Sequence, residues 1–451
     1  MAKKTAALLR ISAIMKKKVE KLILSWLLIA TKLQLKKNNP TIIGVTGSAG
    51  KTSAVKAINE VLKTKYSVKS TLTGNSETGI PFEILDIPIR NWSGLGWLVV
   101  LKLSLWRLIS HWPKYELLVV EMGIDSDQEP KNMEYLLKII QPQMGVFLNV
   151  NNVHGLNFSG SDTIKAITAE KGKLLLSLPK NGLAIYSQDH ESIVDLVKSI
   201  DVKKLAFSIA QPADMQLLKY RVSLKGTEFV FISSGKQYTL KIEKQLLLKE
   251  SFGGLATALL LGQKLGIEIE QGIKTLEKNF ELLPGRSTLI KGINSSMIID
   301  SSYNSSFEPT AAALRMLGEV SVRGQKIAVL GDMREIGKQE KADHEELAKI
   351  AAKNADEIIL VGPLTAKYTL PQLKKLKFAK TKTHSFTTAY EALETVKKLV
   401  GQHDLILVKG SQNTIFLEII VKEIMEHPEQ ASKILCRQSK YWNKQRQHLL
   451  D

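Results

Sequence analysis

From Thr41 onward, apolar residues fall into short runs, each closed by glycines or polar residues and followed by a stretch with helical spacing. Ile42–Thr46 reads as a strand, GSAG as a turn and Lys51–Leu62 as a helix. Leu117–Glu121, Met144–Val150 and Leu183–Tyr186 repeat the strand signal with helical stretches between them. That alternation predicts a largely parallel α/β sheet. Between 204 and 250 the period shortens, and Glu228–Ile232 and Tyr238–Ile242 alternate as strands of an antiparallel patch. A helical stretch over Leu255–Asn279 then leads into LLPGR at 282–286, where Pro and Gly mark a hinge. Beyond it the alternation restarts, with Ser296–Asp300, Lys326–Leu330, Glu357–Val361 and Leu405–Val408 as strands of a second doubly wound domain.

Two segments stand apart. Met1–Asn39 reads as one or two helices in which Trp26, Leu27, Leu28 and Ile29 form an apolar block between lysines. The block falls short of the ~20 apolar residues that span a bilayer, so it packs on the protein or lies on a membrane surface. Leu95–Ile109 carries only Lys102 and Arg107 as charges, which predicts a buried or half-buried helix. The chain thus divides into a basic amphipathic arm (1–40), a central domain (41–284) and a C-terminal domain (285–451).

Composition sharpens this picture. At 451 residues, 44% hydrophobic and 24% charged, the chain has material for two or three ordinary cores. The formal charge of +19 is uneven: residues 1–40 hold ten Lys or Arg against one Glu. No nucleic-acid module or basic patch interleaved with stacking aromatics accompanies that charge, so nucleic acid is not expected as a partner. A single cysteine, Cys436, excludes an intrachain disulfide and a cysteine metal cluster and fits a reducing cytoplasm. The run Leu22–Ala30 is followed by lysines instead of a small-residue cleavage site, unlike a signal peptide. No pattern sets an oligomeric state.

The strongest chemical signal is GVTGSAGKTS at 44–53, set between a strand and a helix. Glycines there let backbone N–H groups converge on phosphate oxygens at a helix N-terminus. Gly47, Ser48, Ala49, Gly50 and Ser53 are expected to line the loop, Lys51 to reach the outer phosphates and Thr52 to ligate Mg²⁺. The generic pattern places a glycine five positions before Gly50; here that residue is Val45, and Gly47 serves the loop. LLVVEMG at 117–123 delivers Glu121 to a strand's C-terminal end, the edge where ligands sit in such sheets, as a second oxygen ligand. LNVNNVHGLNFSGS at 148–161 adds Asn149 and His154 beyond another strand end.

Together with NSETGIP (75–81), EKGKLL (170–175), PGR (284–286), DSSYNSS (300–306), LGDMREIG (330–337) and LVKGSQN (407–413), these motifs resemble the Mur ligases, in order, from about 41 to 420. Within the family they look most like members that add D-alanyl-D-alanine to a muramoyl tripeptide in peptidoglycan precursor synthesis. The resemblance implies a P-loop central domain followed by a smaller Rossmann-like domain. It implies an ADP-forming ligase in which ATP phosphorylates a carboxylate and an amine attacks the acyl phosphate. By position, Thr52 and Glu121 would hold one Mg²⁺, and His154 with a carbamylated Lys171 a second. Without the resemblance, Lys171 reads as a solvated helix charge. Lys51, His154 and Lys171 are the expected catalytic residues; Asn75, Glu77, Lys409 and Ser411 would face the substrate, and Arg286, Tyr303 and Asn304 the nucleotide. Asp332, Glu335 and His344 read as domain-closure residues or as a strand-end turn.

Departures from the family pattern are also visible. About 40 residues precede the P-loop strand where the family carries a separate domain for the uridine nucleotide of its substrate. Ser301 replaces an aspartate expected at the ATP ribose, Ser251–Gly254 lacks an asparagine expected near adenine, and Gln412 replaces an arginine. The phosphate and metal machinery is retained while the adenosine-side contacts are altered. Two further readings stay open: a sister amide ligase with another acid or amine, including a lipid-linked one, and a non-catalytic nucleotide-binding partner of a true ligase. Arm 1–40 supplies the motive for peripheral membrane contact.

Overall fold

The computed structural model describes residues 2–72, 74–88, 96–151, 157–158, 162–333, 339–411 and 415–447. The chain forms two compact units. The first comprises Met1–Val150, Asn157–Phe207 and Gly254–Gly272; the second comprises Asn151–Leu156, Ser208–Gly253 and Ile273–Asp451.

In the first unit, β1 (Thr41–Thr46), β2 (Val68–Thr71), β3 (Leu117–Glu121), β4 (Met144–Phe147), β5 (Leu183–Ser187) and β6 (Lys203–Ser208) follow the order β2-β3-β1-β4-β5-β6. All the pairings are parallel. The central strands β1 and β3 are buried almost throughout, as strands covered on both faces must be. Val45 pairs with Glu121 on one side and Val146 on the other. Val45 is therefore still strand, which is why the loop glycine falls at Gly47. Helix Lys51–Leu62 meets helix Phe252–Lys264 where Gly254 lies against Ala54, and a Cβ on Gly254 would stand 3.1 Å from the Ala54 Cα. Gly254, in the altered 251–254 segment, thus permits close helix packing.

In the second unit, β7 (Met215–Ser223), β8 (Gly226–Ser233) and β9 (Lys236–Glu243) form the expected antiparallel patch. A six-stranded sheet follows, from β10 (Thr288–Lys291), β11 (Met297–Ser301), β12 (Lys326–Gly331), β13 (Glu357–Val361), β14 (Thr383–Phe386) and β15 (Leu405–Lys409). Its order is β10-β11-β15-β12-β13-β14, with β10 antiparallel and the rest parallel. Its two faces are covered by separate apolar clusters, one around Leu314, Leu317 and Leu347, the other around Val396, Ile420 and Ile424.

Several expectations change. Leu255–Asn279 is two helices, Phe252–Lys264 and Ile269–Asn279, because Gly266 takes a left-handed φ of 75° between them. The strand at Met144 ends at Phe147, since Asn149 already turns toward the phosphate loop. The arm is one helix, Ala2–Lys36, and packs through Ile23, Leu27 and Ala30 against Phe82, Leu85 and Val100. Helix Gly96–Ser110 is half-buried, as its composition predicts: Val100 and Ser104 are fully buried, while Leu98, Leu105, Trp106 and Ile109 are exposed. No helix among the described residues is long and apolar enough to cross a membrane.

Candidate active site

The C-terminal ends of β1, β3 and β4 bring one group of polar residues together in the first unit. Gly50, at φ 77°, needs the left-handed conformation that glycine adopts without strain, and it starts helix Lys51–Leu62. Gly47 answers a different demand: a Cβ there would lie 3.0 Å from the Leu148 Cβ. The Asn149 carboxamide holds the loop, its Oδ1 accepting from the backbone N–H of Ser48 (3.1 Å) and Ala49 (2.9 Å) while its Nδ2 donates to the Ala49 carbonyl (3.0 Å). Lys51 Nζ donates to the Gly47 carbonyl at 2.9 Å, and Thr52 is buried at the start of the helix, with Ser53 one residue further into it.

Glu121 is 4% exposed at the end of β3. Its Oε1 accepts from Asn75 Nδ2 at 2.9 Å, and its backbone N–H donates to Thr71 Oγ1 at 2.9 Å. The Asn75 loop is fixed from both sides: the Gly123 N–H donates to the Asn75 carbonyl, and Gly74 and Gly79 approach so closely that a Cβ on either would collide with the other. Glu77 on this loop is half-buried, and burial pushes its carboxyl above the usual range. Among the described residues, no Lys, Arg or His forms an ion pair with Glu121. A buried carboxylate beside a phosphate loop, oriented by an amide, is the kind of oxygen ligand that a hard divalent ion takes. Among the described residues, no three His, Cys, Asp or Glu come together as a metal cluster.

Lys171 overturns its reading as a solvated helix charge. It sits on helix Thr163–Leu176, is 4% exposed, and its amine is lowered to about 7, first by burial and then by the Lys51 charge. Asp125, Glu170 and Glu121 pull in the opposite direction. Asp125, four residues past Glu121, is a contributor the sequence reading missed. His154 lies outside the described residues, as do Glu335 and Gln412.

In the second unit, a separate group forms at the ends of β11 and β15. The Arg286 guanidinium lies 4.5 Å above the ring of Tyr303, which is 37% exposed. Lys409, buried, donates to Ser301 Oγ (3.3 Å) and the Asn304 carbonyl (3.0 Å), and Ser411 Oγ donates to the Ser305 carbonyl (3.3 Å). Burial first, and Arg286 second, lower the Lys409 amine to about 8. Ser301 is enclosed between Lys409 and the Ser287 hydroxyl. Asp300 is fully buried, its Oδ1 accepts from the Ser302 N–H, and burial raises its carboxyl to about 6. Asp332 and His344 act as turn-fixing groups. Asp332 Oδ1 accepts from the N–H of Leu364 and Thr365, while His344 Nε2 accepts from the Met333 N–H.

Arg437 was invisible to the sequence reading because its segment carries no motif. It is buried against Glu418, with Nε–Oε1 and Nη2–Oε2 both 3.0 Å, and it donates to the carbonyls of Tyr303 (2.7 Å) and Ser302 (2.5 Å). Arg446 also reaches Glu418 Oε1, at 3.2 Å.

A phosphate loop on a parallel sheet with a carboxylate at a neighbouring strand end describes a nucleotide-binding protein, and comparison with known families gives it a place. The Mur ligase middle domain matches residues 45–247, and the Mur ligase, glutamate ligase domain matches 285–412. The chain belongs to the Mur ligases and is an ATP-dependent ligase. It is similar to the UDP-N-acetylmuramoyl-tripeptide--D-alanyl-D-alanine ligase of Bacillus subtilis (strain 168), 28% identical over 88% of this chain and 78% of that one. The ligase of the same name from Escherichia coli (strain K12) is 24% identical, over 84% and 76%. The MurF ligase of Thermotoga maritima, solved with ADP, shares the fold at a TM-score of 0.71 and 22% identity, covering 90% of this chain and 84% of that one.

Proposed function

We propose that this ligase adds D-alanyl-D-alanine to a muramoyl tripeptide in peptidoglycan precursor synthesis. What carries the reading is similarity over 88% of the chain to a ligase named for that reaction. In this reading an oxygen of the peptide carboxylate attacks the terminal phosphorus of ATP, and ADP leaves. The amine of the dipeptide then attacks the acyl carbon, loses a proton, and phosphate departs as the amide forms. No covalent bond to the protein is needed, so the protein's part is positioning and charge stabilisation.

The loop N–H groups and Lys51 receive the phosphates, with Asn149 presetting the loop. Thr52 and Glu121 would hold Mg²⁺, which when bound neutralises the charge on the terminal phosphates. Asn75 orients Glu121, and Glu77 lies on the same loop toward the acid substrate. His154 is assigned to a second Mg²⁺ with Lys171, whose buried amine, lowered to about 7, offers at neutral pH far more of the neutral form that carbamylation needs than an ordinary lysine does, and a carbamate supplies the anionic oxygen a hard cation requires. Arg286, Tyr303 and Asn304 are assigned to the nucleotide, Lys409 and Ser411 to the substrate. The partners are small-molecule acid and amine substrates, the compartment is the cytoplasm, and residues 1–40 make a peripheral contact with the membrane.

The test is phosphate release from ATP. Release is expected only when UDP-muramoyl tripeptide and D-alanyl-D-alanine are both present, with the amide product confirmed by mass spectrometry. Equal release with either omitted, or preference for another amine, overturns the assignment.

A further inference from the structure

The arm helix Ala2–Lys36 does not stand alone. It runs beside helix Gly96–Ser110, with Trp26 Nε1 donating to Ser104 Oγ at 2.7 Å, Gln34 Nε2 to the His111 carbonyl at 3.0 Å, and Lys37 lying 4.6 Å over the Trp112 ring. One stripe of helix Gly96–Ser110 is therefore committed to packing: Trp97, Val100, Leu103 and Leu108 join Leu27 and Phe82 in a shared cluster. The opposite stripe is apolar too, yet uncovered. Leu98 is 60% exposed, Leu105 50%, Trp106 60% and Ile109 72%, at the three- and four-residue spacing of a single helical face. A helix apolar on every side is normally buried or in contact with lipid.

The charges around this stripe say which. Lys102 interrupts it, and Lys114 follows it. On the neighbouring helix, exposed Lys32 and Lys36 flank Ile29 and Leu33, themselves about half exposed. Large apolar side chains and tryptophans among lysines match the boundary of an anionic bilayer, where rings sit at headgroup depth and each nearby Lys adds about 1 kcal/mol. We infer that the outer face of helix Gly96–Ser110 inserts into the surface of an anionic lipid membrane, the lysines of both helices engaging the headgroups. This goes beyond a contact by the arm, because it makes the second helix the inserting element. It rests on the proposed function only for its consequence: Phe82 and Leu85, in the same cluster, belong to or adjoin the helix that follows the Asn75–Glu77 loop. A docked enzyme would therefore present its acid-substrate loop near the membrane.

The experiment is vesicle flotation of the full chain at near-physiological salt. It compares phosphatidylcholine vesicles with vesicles of phosphatidylcholine and phosphatidylglycerol in equal parts. The wild type is expected to float with the anionic vesicles and far less with the neutral ones. Leu105→Glu/Trp106→Glu, changing two exposed positions, should lose about tenfold or more of that binding with an unchanged thermal melt. A Lys102→Glu variant should lose binding less severely, and its binding should rise at low salt, where the remaining lysines are screened less. Three results overturn the inference: no flotation by the wild type, equal flotation of the double variant, or a lipid-free dimer in light scattering that the double variant abolishes. The last would make the face a contact between copies of this chain. Phosphate release with soluble substrates, measured on the same variants, reports on the ligase reading separately, since flotation does not depend on it.

Discussion

Both units bury a lysine at a strand-end site, and the two lysines are held in opposite ways. Lys409 is tied down as a donor, to a serine hydroxyl and a backbone carbonyl, with Arg286 as the neighbouring cation. Its bonds explain its place without any ligand. Lys171 is equally buried, but its surroundings are charges: Lys51 disfavours its protonated form, and Asp125, Glu170 and Glu121 favour it. The difference separates a lysine that builds a site from one whose chemistry is adjustable. Burial by itself does not distinguish them; the partners do.

The sharpest way to break this comparison is to remove each amine. Lys171→Ala is expected to lower turnover by about 10²–10³-fold, the scale of losing a placed electrostatic group, with part of the loss restored by short carboxylic acids. Lys409→Ala should lower it less and gain nothing from added acid. Equal losses, or equal rescue, would collapse the distinction. Next in size is the support beneath the Tyr303 loop. Arg437→Met leaves the Glu418 carboxylate buried with a diminished partner and should cost about 3 kcal/mol of stability, read by denaturant unfolding. An unchanged midpoint would show that Arg446 alone satisfies Glu418.

pH offers a smaller effect with a definite sign. Both amines are lowered in the folded protein from an ordinary value of 10.5, so between folded and unfolded values the unfolded chain binds more protons. Stability must then rise with pH, from about 7 upward for Lys171 and from about 8 upward for Lys409. In CO₂-free buffer, the wild type should gain on Lys171→Met between neutral and mildly alkaline pH, by at most about 1.4 kcal/mol per pH unit. A constant difference would return Lys171 to the ordinary lysine range. The smallest expected effect is at Asn149. Asn149→Ala removes the acceptor for two loop N–H groups and should raise the ATP KM by about tenfold or less, with kcat nearly kept. A collapse in kcat would make Asn149 part of the chemistry.

Much of this was legible in the chain because its strongest signals are local. β1, the loop and the following helix occupy consecutive residues with one period change, and β3 ends on Glu121 where its apolar run stops. The strands that went unread, β2, β6, β7, β10 and β14, are short or carry many polar residues. β2, β10 and β14 are edges, where one side of the strand need not be apolar. The environment of Lys171 was unreadable for another reason: a lysine among EKGK has the composition of a solvated helix, and only the packing of that helix on the sheet buries it. At Gly96–Ser110 the apolar sequence predicted at least half burial, and the fold covers one face of the helix and leaves the other open. Arg437 had no local pattern at all, since its partners lie 19 and 134–135 residues away.

That last connection bears on how this molecule can be exchanged in pieces. The Glu418–Arg437–Arg446 cluster fastens the end of the chain to the carbonyls of Ser302 and Tyr303, outside the stretch matched by the family's C-terminal domain. A chimera that borrows a relative's domain up to residue 412 would inherit the tyrosine loop without its fastening. Residues 300–304, Glu418 and 435–446 thus form one module: a cut at 412 parts the tyrosine loop from the arginine that fastens it, and only a cut between Glu418 and Arg437 would leave a buried, unmatched charge.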